Sequence, residues 1–287
     1  MRDAPKVLAC VDQSHFADTV TDAAAWAARR LGAPLELLHI LDREGRVVRG
    51  SDHSGAIGVN AQQTLLTALS EEDAARSKAA RDAGRVFLNR LRERAISRGV
   101  RVPDVRLRDG DLEETLVEQQ AAVGLFVLGR RGESAETTQR DLGRHVERMV
   151  RALSKPILAV TDEFTAPERV MIAFDGGSMT RRGVEMLART PLFEGLPVDV
   201  VMSGKPRRDA DKQLDWARQT LAAADYDVKT AMLPGDTERV IARYIHDQGI
   251  DMLLMGAYGH SPLRSLLLGS KTSDLLRAAR VPTLLLR

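Results

Sequence analysis

The same order of apolar runs and amphipathic stretches occurs twice along this chain, and that repeat restricts it to two copies of one α/β unit. Val7-Leu8-Ala9-Cys10-Val11-Asp12 is an apolar run ending in aspartate, and Val170-Met171-Ile172-Ala173-Phe174-Asp175 is another. Pro34 opens the next apolar run of the first copy as Pro197 does in the second. Further on, Arg108-Asp109-Gly110-Asp111 answers Leu233-Pro234-Gly235-Asp236, Leu125 to Gly129 answers Met252 to Gly256, and Pro156 to Val160 answers Pro282 to Leu286. Asp12 lies 163 residues before Asp175 but Gly110 only 125 before Gly235, so the first copy carries 38 extra residues between Asp42 and Pro103.

Short, continuous, β-branched runs alternating with amphipathic segments predict buried parallel strands joined by helices. Each copy reads as five strands and four helices. The chain of 287 residues fits about two domains at roughly 150 residues each, and the repeat places them at 1–160 and 169–287, with 161–168 as a linker containing Pro167. In the first copy Ala79, Ala83, Val86, Phe87, Leu91 and Ala95 recur at helical spacing and make 71–97 one long helix with one apolar face. The Gly-, Ser- and charge-rich stretch 42–63 reads as a mobile loop, a plain surface loop in preference to a lid. Asp111, with Glu114 three residues on, and Asp236 read as helix N-caps rather than catalytic acids.

Composition narrows the function classes. A hydrophobic content of 44%, a charged content of 29% and a formal net charge of +2 suit a globular domain, not a polyanion binder, and only 4% aromatic residues argue against stacking on single-stranded nucleic acid. Runs such as Met252 to Gly256 are far shorter than the roughly 20 residues that span a bilayer. The expectation is therefore a cytoplasmic protein with no membrane and no nucleic-acid partner. The single Cys10 lies within a strand-like apolar run and is read as buried filler. Six scattered histidines, without HExxH or paired cysteines, indicate no metal site, and neither GxSxG nor GxxxxGK[S/T] occurs. Trp26 and Trp216 fall on amphipathic segments and read as core anchors.

The chemistry-bearing motif follows the fourth strand of the second copy. Met255-Gly256-Ala257-Tyr258-Gly259 is followed by the nine residues His260 to Leu268 and then by Gly269-Ser270-Lys271-Thr272, which opens the last helix. Glycines let the main chain approach an anion without a Cβ in the way, and successive N–H groups at a helix N-terminus can point at phosphate oxygens. The hydroxyls of Ser270 and Thr272 add donors, and Lys271 adds charge or faces solvent.

This pattern, GxxG, nine residues, then G[S/T], resembles the ATP-binding signature of the universal stress protein family. The likeness extends over nearly all of both copies outside the extra segment, as in tandem two-domain members. The resemblance implies two tandem five-stranded parallel sheets, each in the order 3-2-1-4-5 with helices on both faces, packed about a pseudo-twofold axis. It also implies that ATP, with or without magnesium, binds where the strand order reverses. Asp175 and Gly176 would lie toward the adenosine, Val201 and Met202 on the adenine, and Met255, Gly256, Gly259, Gly269, Ser270, Lys271 and Thr272 toward the phosphates.

The first copy departs from the pattern. Gly129-Arg130-Arg131-Gly132 is followed by ten residues before Gly143, and Arg144 replaces the hydroxyl residue. Glu133, Glu136 and Asp141 would repel a triphosphate, while Arg130, Arg131, Arg140 and Arg144 pair with those acids or grip a different anion. A degenerate first domain is expected, with Asp12 a relic. The sequence thus reads as an ATP-binding stress-response switch with an unknown protein partner and, at most, slow ATPase activity; the alternative is a nucleotide-independent scaffold. A monomer holding an internal pseudo-dimer and a homodimer are both compatible with it. The two terminal strands are expected to pair with each other, since their apolar edges would otherwise stay open.

Overall fold

The computed structural model describes residues 5–41, 59–130, 144–205, 208–256 and 279–287. The first half runs β1 (Lys6–Cys10), α1 (Phe16–Leu31), β2 (Leu35–Leu41), α2 (Val59–Ser97), β3 (Asp104–Asp109), α3 (Leu112–Gln119), β4 (Val123–Gly129), α4 (Arg144–Ala152) and β5 (Ile157–Val160). The second runs β6 (Val170–Ala173), α5 (Ser178–Leu187), β7 (Val198–Ser203), α6 (Ala210–Ala222), β8 (Val228–Leu233), α7 (Thr237–Gln248), β9 (Met252–Gly256) and β10 (Thr283–Leu286). The eighth helix expected from Gly269 onward lies outside the described residues. None of the described helices is long and apolar enough to cross a membrane.

Each half takes the expected strand order 3-2-1-4-5, and the two five-stranded sheets are joined edge to edge rather than separate. All ten strands form one sheet in the order β3-β2-β1-β4-β5-β10-β9-β6-β7-β8. Every neighbouring pair is parallel except β5 and β10, which join antiparallel. The reason is the one that motivated pairing of the terminal strands: an apolar edge strand exposes unpaired N–H and C=O groups, and each covers the other. Leu158 stands opposite its own repeat counterpart Leu284, with Ile157 opposite Leu285 and Ala159 opposite Thr283, so the pseudo-twofold passes through the Leu158–Leu284 pair.

Two arginines clasp this seam. Arg130, directly after β4, donates to the carbonyls of Ala279 and Val281 (3.2 Å) and to Thr283 Oγ1 (3.3 Å). Arg287, directly after β10, reaches back to the carbonyls of Leu153 (2.7 Å) and Arg151 (3.1 Å). On one face α1 also crosses to the second half: Trp26 packs on Phe193 and on Phe164 of the connecting segment, and Arg30 donates to the carbonyls of Leu192 (3.0 Å) and Glu194. The segment 161–168, read as a plain linker, therefore adds contacts of its own, including Thr19 Oγ1 on the Asp162 carbonyl.

At the opposite end of each half's strands a buried carboxylate sits at the second residue of the second strand. Asp199, 1% exposed, receives Arg169 Nη2 on both oxygens (2.9 Å each) and the Tyr244 hydroxyl (2.8 Å). Its counterpart Glu36 receives Lys6 (2.9 Å), which also reaches Gln119 (3.1 Å), and Arg106 lies at 3.3 Å. The repeat thus preserves an ion pair as well as apolar spacing. Burial, then the hydrogen bond to Asp199, pushes the Tyr244 phenol up to about 12.

The long helix α2 begins at Val59, so the expected loop 42–63 overlaps its first turn, and 42–58 lie outside the described residues. Gly84, Leu88, Leu91 and Ala95 are buried on the sheet at the same spacing as Ala210, Leu214, Ala217 and Leu221 of α6. The single apolar face expected for 71–97 is only partly used: Ala79, Ala83 and Val86 are exposed, because they point away from the sheet and the helix outruns it. Arg90, Arg94 and Arg98 pin the packed part to Asp18 and Asp22 of α1, with Arg94 bridging both acids. The Asp22 hydrogen bond holds the Arg94 guanidinium above its ordinary range.

The two caps form as the sequence predicts, Asp111 accepting from Glu114 N (2.9 Å) and Asp236 from Arg239 N (3.2 Å). Asp236→Ala is expected to cost about 1 kcal/mol in a urea titration, with Asp236→Asn nearly neutral. Equal losses in the two variants would show that the side chain does not cap.

Candidate functional site

In a doubly wound sheet the crevice lies at the carboxyl ends of the strands where the order reverses. In the second half that point is between β6 and β9. β6 leads through Phe174 to Asp175, and Phe174 N donates to the Val201 carbonyl of β7 (2.9 Å), which fixes the strand ends relative to each other. The exposed carboxylate of Asp175 accepts from Gly177 N (2.8 Å) and Thr180 Oγ1 (2.6 Å), and so holds the turn that starts α5. Gly176 has φ +74°, a conformation that costs a glycine least. Its carbonyl accepts from Arg181 Nε (3.2 Å).

Gly256 closes β9 on the other side of the crevice. A Cβ there would lie 3.1 Å from Met179 Cγ and 3.5 Å from Thr180 Cγ2, so the strand end approaches the first turn of α5 because no side chain intervenes. The structure thus brings Asp175, Gly176 and Gly256 to one strand edge. Val201 and Met202 are adjacent on β7 and their side chains go to opposite faces. Val201 shares a core layer with Met255 and Met202 shares the other with Phe174, both 2% exposed or less. Gly259, Gly269, Ser270, Lys271 and Thr272 lie outside the described residues.

Sequence reasoning missed Arg181. Its guanidinium lies 4.5 Å above the Trp216 ring, donates to Gln213 Oε1, and holds the Gly176 carbonyl, tying the turn to α6. Trp216 in turn stacks on Phe174 (6.3 Å, 18°). Trp216 is half-buried and serves as the anchor expected of it, but it does so directly beside the crevice. Arginine five residues after a glycine turn carries no recognisable pattern, so only the fold reveals the link.

The corresponding edge of the first half is built differently. Asp12 holds Ser14 through its amide (3.2 Å) and its hydroxyl, and Gln13-Ser14 replace Gly176-Gly177. Arg130, expected to pair with the acids after it or to hold an anion, instead donates to carbonyls of the second half. A strand-end arginine next to the seam reaches the carbonyls of the residues that lead into β10, which lie outside the strand ladder. The acids Glu133, Glu136 and Asp141, with Arg131, Gly132, Arg140 and Gly143, lie outside the described residues. Cys10 is partly buried, and desolvation followed by the charges of Glu36 and Asp12 pushes its thiol up, away from the reactive thiolate. Among the described residues no group of three or more His, Cys, Asp or Glu is arranged to hold a metal ion.

Comparison with known proteins gives a consistent result. The sequence model described as the universal stress protein family matches residues 4–161 and again 167–287. The universal stress protein Slr1230 of Synechocystis is 32% identical over 284 residues, covering 98% of this chain and 99% of that one. Among solved structures, a universal stress protein from Archaeoglobus fulgidus superposes with a TM-score of 0.72 at 16% identity, covering 98% of this chain and 97% of its own. A functionally unknown protein from Pseudomonas aeruginosa, PA1789, superposes with a TM-score of 0.60 at 16% identity, covering 98% and 92%.

Proposed function

This chain belongs to the universal stress protein family as a tandem two-domain member, and from that premise we propose that it binds one ATP, in its second half, and acts as a nucleotide-dependent stress-response switch. The observation that carries the reading is the gapless motif Gly256-x-x-Gly259, nine residues, Gly269-Ser270, which the first half lacks. The described part of the crevice is compatible with it. Gly176 and Gly256 present no Cβ at the crevice, where Gly256 is approached by Met179 and Thr180, and the exposed carboxylate of Asp175 would accept from ribose hydroxyls. Helix N-terminal amides and the hydroxyls of Ser270 and Thr272 would hold the phosphates, with magnesium sharing the charge. No carboxylate lies between His260 and Leu268 to orient an attacking water, so turnover would be slow or nil.

Calorimetry with ATP and magnesium is expected to return one site per chain. Ser270→Ala should weaken it on the order of 10- to 100-fold, as for loss of one charge-assisted hydrogen bond, Gly259→Ala should weaken it by crowding the phosphates with a Cβ, and Gly132→Ala should leave it unchanged. Two equivalent sites, or no heat with any adenine nucleotide, would sink this reading. Ser270→Ala should lower affinity and any single-turnover hydrolysis together; turnover abolished with binding intact would mark a catalytic serine instead.

A further inference from the structure

The packed part of α2 matches α6 residue for residue in spacing, from Gly84 to Ala95 against Ala210 to Leu221. The helix nevertheless begins at Val59, so about 25 residues, roughly 37 Å at the standard rise per residue, extend beyond the part its counterpart possesses. On this extension and just past it, Ala75, Ala79, Ala83 and Val86 are exposed in one row, and Val86 is 71% exposed. Toward the N-terminus Glu71 and Glu72 interrupt the row, and apolar residues recur in the sequence at Ala61, Leu65 and Ala68. Such a row is the seam along which one helix packs on another.

The charges say which helix. From 59 to 75 the helix carries Glu71, Glu72 and Asp73 and no lysine or arginine; from 76 to 92 it carries Arg76, Lys78, Arg81, Arg85, Arg90 and Arg92 against Asp82 alone. A second α2 laid parallel would set like charges together, whereas one laid antiparallel sets each acidic stretch against a basic one, with the crossing near Ala79. There the small side chains allow close approach of the axes, to about 8 Å, and the helix dipoles oppose favourably. The charges nearest the row are engaged locally in exposed pairs, Arg76 with Glu72 (3.2 Å) and Arg85 with Asp82 (3.1 Å), and exposed pairs of this kind exchange at little cost.

We propose that the exposed row of α2 docks on the same row of a second copy of this chain, antiparallel, crossing near Ala79. Sedimentation velocity of the full-length chain across the micromolar range is expected to show a dimer that weakens as salt rises. Ala79→Glu, at an exposed position that leaves the fold intact, should weaken it at least tenfold. Under mild oxidation Asp73→Cys mixed with Arg85→Cys should cross-link efficiently, and Asp73→Cys alone should not. A chain that stays monomeric throughout, a dimer indifferent to Ala79→Glu, or Asp73→Cys cross-linking to itself as readily as to Arg85→Cys would each overturn the proposal.

Discussion

Replacing Asp199 with alanine is expected to remove about 3–5 kcal/mol of folding stability, the range for stripping one partner from a buried ion pair. Asp199 is 1% exposed and receives both Arg169 and Tyr244, so its loss leaves a guanidinium, only 22% exposed, without its counter-charge and a phenol without its acceptor. Asp199→Asn keeps the shape and one acceptor and should fall between wild type and alanine. Urea titration of the three proteins checks the order, and a loss below about 1 kcal/mol for alanine would show that water or a rotated neighbour compensates. The same trio sets an alkaline limit. A free phenol ionises near 10 and Tyr244 near 12, so the unfolded chain releases its proton first. Stability contributed by the neutral phenol is intact below the lower value and is lost as pH rises toward the upper one. Tyr244→Phe should flatten that part of the profile.

The other large effect concerns division of the chain. Expressed alone, residues 169–287 are expected not to persist as a stable monomer. β10 loses β5, the Arg130 clasp goes with it, and Phe193 loses the Trp26 ring. Because Leu284 faces its own repeat counterpart in the intact chain, the fragment can rebuild the seam against itself with Leu284 opposite Leu284. Light scattering should therefore find a dimer or larger species, and adding the 1–168 fragment should convert it to a one-to-one complex. A monomeric fragment melting as the intact chain does would show that the seam contributes little.

The duplication, the strand positions and both caps were legible because each rests on local spacing: apolar runs of strand length, a glycine before an aspartate, an aspartate three residues before the amide it caps. The pairing of β5 with β10 was legible for a different reason, since two apolar terminal strands need covers. What was not legible depends on distant partners. Nothing near Asp199 in the sequence marks it as buried, since Arg169 lies 30 residues away and Tyr244 lies 45 away. Arg130 looked like one more member of a charged loop, although its partners lie about 150 residues on. Val86 satisfied helical spacing with Ala79 and Ala83, yet it lies on the face opposite Gly84, Leu88 and Leu91, and spacing alone does not tell which face meets the sheet. Of the candidate site, Asp175, Gly176 and Gly256 meet at one edge as topology requires, while Arg181 and Trp216 emerged only from the packing of α5 on α6.

The antiparallel joint between β5 and β10 also settles which way each half looks. The strands of one half run opposite to those of the other, so the carboxyl ends of β1 and β4 emerge at one rim of the sheet and those of β6 and β9 at the opposite rim. Four strands, β4, β5, β10 and β9, separate the two reversal points, about 19 Å centre to centre at the usual strand spacing. A visitor at one rim therefore neither touches nor shadows a visitor at the other. The molecule is two-sided, and whatever binds at its first rim can stay in place while the second fills and empties.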